Sequence, residues 1–371
     1  MRFIKVDELK PGMRLARPIY SKKGVLLYER AQVIKDAQSI QSIKGFGLLG
    51  LFILEPAEPV PPFSEDDMAF ERFQTVMSFE IADELDVIRR QKKTERLSFI
   101  VTSIIKEYGN ETKKINFFQS LRSTEDYIYK HSLNTAILSA IITHGLNVPL
   151  AVQNTAVTAA VVHDIGKLDV PPDMMYKSEH TDEEQLAIHS YERAGYDILR
   201  DTFISNPGVT RACVQAESNL RLMERNEPPL ENMQIASQVL QIAGMFDKLT
   251  AVRMDETPMS ELTVFRTMLA KPEYYDKDAV NALLHSVTLL MPGTSVELTG
   301  RKKALVLRQN DDLMRPIVLT FDDNQIINLA DRSSYGHLEV VDIMKTMDNR
   351  HVMDQETLKR LGFAPQTEVE A

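Results

Sequence analysis

A long run of helix-type periodicity is the feature that most constrains the fold of this chain. From Ser64 to about Leu290, apolar residues recur three and four positions apart, the spacing of one face of an α-helix. Ser64 suits the N-cap of the first helix, because acidic residues fill the turn that follows it. Only this segment, of about 220 residues, is long enough to bury an enzyme-like site. The predicted helices cover 64–91, 126–146, 150–163, 182–200, 207–224, 232–251, 259–270 and 276–289.

Two smaller modules flank the helical segment, which we place at 64–290. Residues 1–56 are predicted to form a small α/β domain, with "MRLARPIY" and "GVLLYE" as hairpin strands, then a helix and the strand "LLGLFIL". A proline-rich linker is predicted over 57–63. Residues 291–347 carry the strand-like runs "SVELTG", "KKALVLRQ", "RPIVLTF" and "QIINLA", and 348–371 is a polar tail. The predicted fold class is therefore mainly α, with a small N-terminal α/β domain and a small C-terminal β domain.

The composition argues against several classes of function. Of the 371 residues, 43% are apolar and 26% are charged, as in ordinary globular proteins, and the net charge of −10 disfavours binding to nucleic acid. Cys213 is the only cysteine, so no intramolecular disulfide can form; we expect a small core residue in a reducing compartment. The N-terminus lacks the apolar segment of a signal peptide, and the longest apolar stretch, 45–54, is too short for a membrane helix. These features predict a cytoplasmic protein without membrane contact.

The stretch "AAVVHDIGKLDVPPD" places His163 and Asp164 at the end of an apolar helix. At a helix end the backbone relaxes, so an imidazole and a carboxylate from adjacent residues can face one metal ion. Gly166 suits the left-handed position that terminates a helix, and Lys167 could hold a phosphate oxygen as a point charge. The alternative is that His163 and Asp164 are only the polar end of a core helix, hydrogen-bonded to neighbours.

A third candidate metal ligand lies one helix upstream. His131, in "DYIYKHSLNTAILSA", sits on an amphipathic helix that an antiparallel arrangement could bring next to His163. Taken alone, a half-buried histidine of this kind is more often a structural residue. Together with the His163–Asp164 pair, it is predicted to be a metal ligand.

These motifs resemble the HD superfamily of metal-dependent phosphohydrolases, and more narrowly the HD-GYP family. The matching segments are His131, "HDIGK" at 163–167, "GYDIL" at 195–199 and "MFDKLTAVR" at 245–253, and the opening residues resemble the N-terminal domain found before many HD-GYP domains. The resemblance implies an HD-type helical bundle. It also implies hydrolysis of the bacterial second messenger cyclic di-GMP in active members, which use two or three iron or manganese ions.

Several metal ligands that the resemblance implies are replaced in this chain. The family motif HHExxDGxGYP, aligned without a gap from the downstream helix, falls on "QAESNLRLMER" at 215–225. Only Glu217 is kept there, and we expect it to be solvated. Asp247 matches a family position that does not normally touch the metal. The four expected ligand positions without an imidazole or a carboxylate are Tyr191, Gln215, Ala216 and Gly244.

The predicted function is a catalytically degenerate HD-GYP-like module in cyclic di-GMP-related bacterial signalling, with no catalytic residues assigned. His131, His163 and Asp164 could hold a single residual iron or manganese ion, although no cofactor is expected, and Lys167 is the candidate ligand-binding residue. We expect protein partners and no nucleic acid. Retained binding of cyclic di-GMP and homodimerisation through the 64–92 helix stay open. The alternatives are an active phosphohydrolase with a reduced metal centre and a purely structural scaffold.

Overall fold

The computed structural model is mainly helical, which confirms the predicted fold class. The structure describes residues 2–21, 25–54, 64–110, 113–177, 179–252 and 258–344. Among these residues the helices are α1 (Ala37–Lys44), α2 (Glu65–Gln91), α3 (Leu97–Tyr108), α4 (Tyr127–Gly145), α5 (Leu150–Val162), α6 (Pro172–Met175), α7 (Asp182–Thr202), α8 (Pro207–Glu224), α9 (Ile235–Thr250), α10 (Glu261–Leu269), α11 (Lys277–Ser286) and α12 (Arg332–Tyr335). The strands are β1 (Arg2–Ile4), β2 (Arg14–Leu15), β3 (Ile19–Tyr20), β4 (Leu26–Tyr28), β5 (Leu51–Leu54), β6 (Ser295–Leu298), β7 (Lys302–Arg308), β8 (Ile317–Thr320), β9 (Ile326–Asn328) and β10 (Val340–Ile343).

Helix α4 is the centre of the helical bundle. It packs against α2, α3, α5, α9 and α11, and fourteen of its nineteen residues are buried. A helix surrounded on all sides needs apolar or small residues around its whole circumference, which explains the composition of "NTAILSAIIT". This position allows a polar side chain on α4 to sit deep inside the bundle.

Helix α2 begins where the sequence predicts. The Ser64 hydroxyl accepts a hydrogen bond from the Asp67 amide at 3.1 Å, and the Asp67 carboxylate accepts one from the Ser64 amide at 2.9 Å. This reciprocal capping box satisfies two amides that lack partners within the helix. Helix α3, in contrast, was not predicted, because "LSFIVTSII" is a short β-branched apolar run that periodicity cannot assign to helix or strand.

The N-terminal module contains two small sheets. One has the strand order β1-β5-β2, and the other is the hairpin of β3 and β4. The prediction of one continuous strand over "MRLARPIY" is therefore wrong: β2 and β3 belong to different sheets, separated by Ala16, Arg17 and Pro18. Proline has no amide hydrogen and a fixed φ, so it does not continue a ladder.

The C-terminal strands form one antiparallel sheet with the order β10-β6-β7-β8-β9. The four strands predicted for this module are β6 to β9. The fifth strand, β10, was not predicted. It pairs with β6, more than forty residues earlier in the chain, and such long-range pairing leaves little local signal.

The contacts divide the chain into two compact units. One comprises residues 3–259 and 264–287, and the other comprises 288–371 with 1–2 and 260–263. The predicted linker at 57–63 and the predicted tail at 348–371 lie outside the described residues. Within the described ranges, we find no helix whose length and apolar character would let it cross a membrane.

Gly166 does not terminate a helix in the left-handed conformation, so that expectation is wrong. It lies in the 3-10 turn Ile165–Asp169 and has no positive φ. A Cβ atom on Gly166 would lie 2.4 Å from the Tyr191 carbonyl oxygen, and one on Gly195 would lie 2.6 Å from the Gly166 Cα. The two glycines therefore allow the backbone of α7 to touch the turn that follows Asp164.

We expect Gly195→Ala to destabilise the protein by about 1–3 kcal/mol, because the added methyl group would have to push two backbones apart. Urea unfolding followed by circular dichroism measures this loss. Gly244→Ala is the matched control: its Cβ would meet nothing closer than Thr135 Cγ2 at 3.8 Å. The control should gain roughly 0.5–1 kcal/mol from the helix preference of alanine. Equal effects of the two substitutions would contradict the backbone contact.

Candidate metal and phosphate site

The structure brings His131, His163 and Asp164 together. One ligand atom from each of the three residues lies within 4.8 Å of the other two. The Nε2 atoms of His131 and His163 are 3.3 Å apart, and the Asp164 carboxylate lies 3.8 Å and 3.5 Å from them. His163 is the residue that ends α5, so it is both the polar end of a core helix and a member of this cluster.

Both imidazole rings are oriented through their Nδ1 atoms. His163 Nδ1 lies 2.8 Å from the Ala160 carbonyl oxygen, and His131 Nδ1 lies 2.6 Å from the Asp247 carboxylate. A carbonyl oxygen and an ionised carboxylate only accept hydrogen bonds, so each Nδ1 carries a hydrogen. In the neutral rings each Nε2 then presents a lone pair to the space next to Asp164. Burial lowers the pKa of His163, which favours its neutral ring.

This donor set fits one divalent ion. Two imidazole nitrogens and one carboxylate are a known ligand set for iron, and hydrogen bonds from the far side of each imidazole hold the rings in place. An ion held there would polarise a phosphate oxygen and lower the pKa of a bound water.

The rest of the cavity lining adds little to this set. The cavity has a volume of about 70 Å³, and much of its remaining lining is apolar. Its one further carboxylate is Glu217, and burial raises the pKa of the Tyr196 hydroxyl and of the Cys213 thiol, which keeps both protonated. Gly244 contributes no side chain, and the Ala216 methyl group is buried. The residues of this apolar lining are Ala216, Leu220, Leu240, Gly244 and Met245.

Lys167 supplies a fixed positive charge inside the site. Its Nζ lies 2.8 Å from Asp164 Oδ1 and 3.9 Å from Glu192 Oε1. Burial opposes the charged forms of Lys167 and Asp164, but their attraction outweighs it, so the pKa of Asp164 falls and that of Lys167 rises. The ammonium group and a metal ion would compete for the same carboxylate.

A second ion-pair group lies beside Lys167. Arg221 pairs with Glu192 and, at 2.9 Å, with Glu217, which lines the cavity. Burial raises the pKa of Glu192 to about 7, against the lowering effect of Lys167. The expectation that Glu217 is a solvated residue is wrong, because its side chain is only 28% exposed and is held by Arg221.

The buried carboxylate of Asp247 holds the His131 ring in place. Its carboxylate oxygens accept hydrogen bonds from Arg122 Nη2 at 2.6 Å and 2.7 Å, and from the Gln119 and Asn134 side-chain amides at 2.9 Å each. They also accept the hydrogen bond from His131. Asp247 and Arg122 are both fully buried. Burial alone would raise the pKa of Asp247, but Arg122 and His131 hold it well below its usual range. Asp247 therefore stays ionised and orients His131.

The aligned positions separate into two groups. Ala216 and Gly244 lie in the cavity wall, as the alignment places them. Tyr191 and Gln215 are not among the residues that line it: Tyr191 presents its carbonyl to Gly166, and Gln215 accepts from Gln234 and Ser237. Arg122, Glu192 and Arg221 also belong to the site and were not predicted from the sequence. A buried arginine and ion pairs formed across helices leave no local signal.

Three comparisons show which known proteins this chain is similar to. The HD domain family matches residues 128–251. The cyclic di-GMP phosphodiesterase PA4108 of Pseudomonas aeruginosa is 23% identical over 206 residues, which are 54% of this chain and 49% of that protein. The chain thus spans about half the length of this curated relative. The solved structure of Bd1817, a HDG"Y"P protein from Bdellovibrio bacteriovorus, matches with 12% identity and a TM-score of 0.46, covering 76% of this chain and 97% of that one.

The match to the HD domain family covers α4 to α9, including His131 and the His163–Asp164 pair. The predicted resemblance to the HD-GYP family is confirmed.

We expect Asp247→Asn to destabilise the protein by about 3–5 kcal/mol, because it leaves the Arg122 guanidinium buried without a counter-charge. Chemical unfolding at pH 7 measures the loss. Asp201→Asn is the control, since it breaks only the exposed pair with Lys92 and should change the unfolding midpoint little. If the two variants unfolded alike, Asp247 would not be the structural centre described here.

Proposed function

We propose that this protein is a non-hydrolytic HD-GYP-like signalling module that binds a phosphate group of a cyclic dinucleotide. The observation that carries the proposal is the small donor set: in the cavity of His131, His163 and Asp164, Ala216 and Gly244 offer no ligand atom, and the Glu217 carboxylate is paired with Arg221. Cyclic di-GMP is the proposed ligand, because a cyclic di-GMP phosphodiesterase is among the relatives.

Hydrolysis of a phosphodiester by a two-metal centre requires ligands on both sides of the attacking water. The cluster offers one corner of such a centre. At two positions where the family resemblance implies further ligands, Ala216 and Gly244 bring no lone pair into the cavity. Glu192 and Glu217, two carboxylates beside Lys167, are drawn into pairs with Arg221.

Lys167 supports the binding part of the proposal. Its ammonium group lines the cavity next to Asp164, where a phosphate oxygen could exchange for the carboxylate. The volume of about 70 Å³ is far below the roughly 300–1,000 Å³ of pockets that enclose a whole ligand. Only one phosphate group would therefore enter, and the rest of a dinucleotide would lie outside.

Binding without turnover implies that the output passes to other proteins. We propose a cytoplasmic signalling protein whose partners contact the helical surface, with a second copy of this chain as one candidate. Met68, Val76 and Phe79 of α2 are exposed and lie on one face of that helix. Exposed apolar side chains of this kind favour an interaction surface.

The second candidate function is a metal-dependent phosphohydrolase with a mononuclear centre. The orientation of His131 and His163 favours it, because two lone pairs at 3.3 Å repel each other unless a cation lies near them.

Metal content and turnover distinguish the two functions. We expect at most one Mn²⁺ or Fe²⁺ per chain by elemental analysis, and no conversion of cyclic di-GMP by chromatography with either ion present. His163→Ala should lose the bound ion, whereas His285→Ala, which changes an exposed histidine on α11, should retain it. Turnover by the wild type that disappears in His163→Ala alone would overturn the proposal in favour of the second candidate.

We expect Lys167→Met to weaken the binding of cyclic di-GMP about ten- to a hundredfold, because a charge-assisted hydrogen bond to phosphate contributes about 1.5–3 kcal/mol. Calorimetric titration measures the affinity. Lys177→Met is the matched control, since Lys177 pairs with Glu184 away from the cavity and should leave affinity unchanged. Wild-type affinity in Lys167→Met, or no heat from the wild type at high micromolar ligand, would indicate a scaffold instead.

A further inference from the structure

A second cavity, of about 300 Å³, lies between the N-terminal module and the helical bundle. It is walled by β3 and the turn after α1, by one side of α2, and by residues 118–130. Its volume reaches the lower end of the range of small-molecule sites, whereas the cavity at His163 does not. The apolar part of its lining includes Ile19, Phe46, Phe79, Phe118, Leu121 and Tyr129.

One polar side chain in this lining has an unused acceptor. Asn134 Nδ2 donates to Asp247 Oδ1 at 2.9 Å, which makes Asn134 Oδ1 the acceptor for Gln74 Nε2, also at 2.9 Å. The orientation of the Gln74 amide follows from this chain of bonds. Gln74 is only 4% exposed, and its Oε1 is buried without a hydrogen-bond donor among the described residues. Buried acceptors are normally satisfied, so this atom calls for a donor from outside the chain.

Several charged groups of the lining have partners within the chain. Lys130 binds the Asp126 carboxylate at 2.7 Å and the Leu121 carbonyl at 2.6 Å. Glu71 accepts from the Tyr20 hydroxyl at 3.1 Å. The charges of Lys130 and Asp126 balance each other, and Arg17 and Arg30 attract the Glu71 carboxylate, so the lining favours a ligand without net charge.

We propose that this cavity binds a small, uncharged, largely apolar molecule that donates one hydrogen bond to Gln74 Oε1, and that its occupancy is transmitted to His131. Neither the HD motifs nor the function proposed above requires this site.

The transmission would follow a continuous chain of buried hydrogen bonds. Gln74 donates to Asn134, Asn134 donates to Asp247, and Asp247 accepts from His131. Gln119, which also lines the cavity, donates to Asp247 Oδ1, the oxygen that accepts from Asn134. A ligand that pulls on the Gln74 amide therefore acts on the carboxylate that orients His131.

Indole is a suitable probe because it is apolar, uncharged and carries one N–H donor. The chain contains no tryptophan, so indole fluorescence, excited at wavelengths longer than those that tyrosine absorbs, reports binding without a protein background. We expect saturable binding at one site, and about tenfold weaker binding of indene, which lacks the N–H, in competition with indole. Binding that does not saturate, or equal affinity for indene and indole, would overturn the proposed recognition.

Two alanines of α2 form a matched pair for locating the site. Ala82 lines the cavity, whereas Ala69 is exposed elsewhere on the same helix. Ala82→Phe should fill the cavity and abolish indole binding, and Ala69→Phe should leave it unchanged. Unchanged binding in Ala82→Phe would place the indole elsewhere and overturn the site.

The link to His131 has its own measurement. In protein labelled with ¹⁵N-histidine, indole should shift the ring nitrogen resonances of His131, assigned by their loss in His131→Gln, and leave those of His285 in place. Indole binding without a shift at His131 would overturn the transmission. Neither measurement requires metal or turnover, so a failure here is distinguishable from a failure of the proposed function.

Discussion

The fully buried carboxylate of Asp247 is the interaction on which the helical bundle depends. Removing a carboxylate and a guanidinium from water is costly, and the cost is recovered only when nearly every lone pair has a donor. Arg122, Gln119, Asn134 and His131 provide those donors from α4 and from the segment before it. The network therefore ties α9 to the centre of the bundle and fixes one imidazole in a single tautomer.

Helix α4 connects this hydrogen-bond network to the candidate metal site through His131. Because it is enclosed by five other helices (α2, α3, α5, α9 and α11), its polar residues cannot turn towards water and must find partners inside. His131 finds Asp247 on one side and the His163–Asp164 pair on the other. The close contact of Gly166 with α7 then holds the turn that carries Lys167 against the same cavity.

The charges around the cavity are largely balanced within the chain. Lys167 compensates Asp164, and Arg221 holds two of the remaining carboxylates, so the charges near the histidines are largely neutralised within the chain. The cavity lined by Gln74 is joined to this site by hydrogen bonds and offers a route by which a second molecule could act on it.

The sequence by itself determined most of the helices, the Ser64 N-cap, the four regular strands of the C-terminal sheet, and the three residues that lie together at the candidate metal site. Periodicity and capping depend on residues that are close in the sequence, and the His-Asp motif can be recognised from a few consecutive residues. Tertiary structure alone decided that Gln215 turns away, that Glu192 and Glu217 pair with Arg221, and that Gly166 serves a backbone contact. It also decided the pairing of β10 and the role of Asp247, which lies 116 positions from His131 along the chain. Each of these outcomes depends on which helices and strands become neighbours, a property that no local pattern of residues encodes.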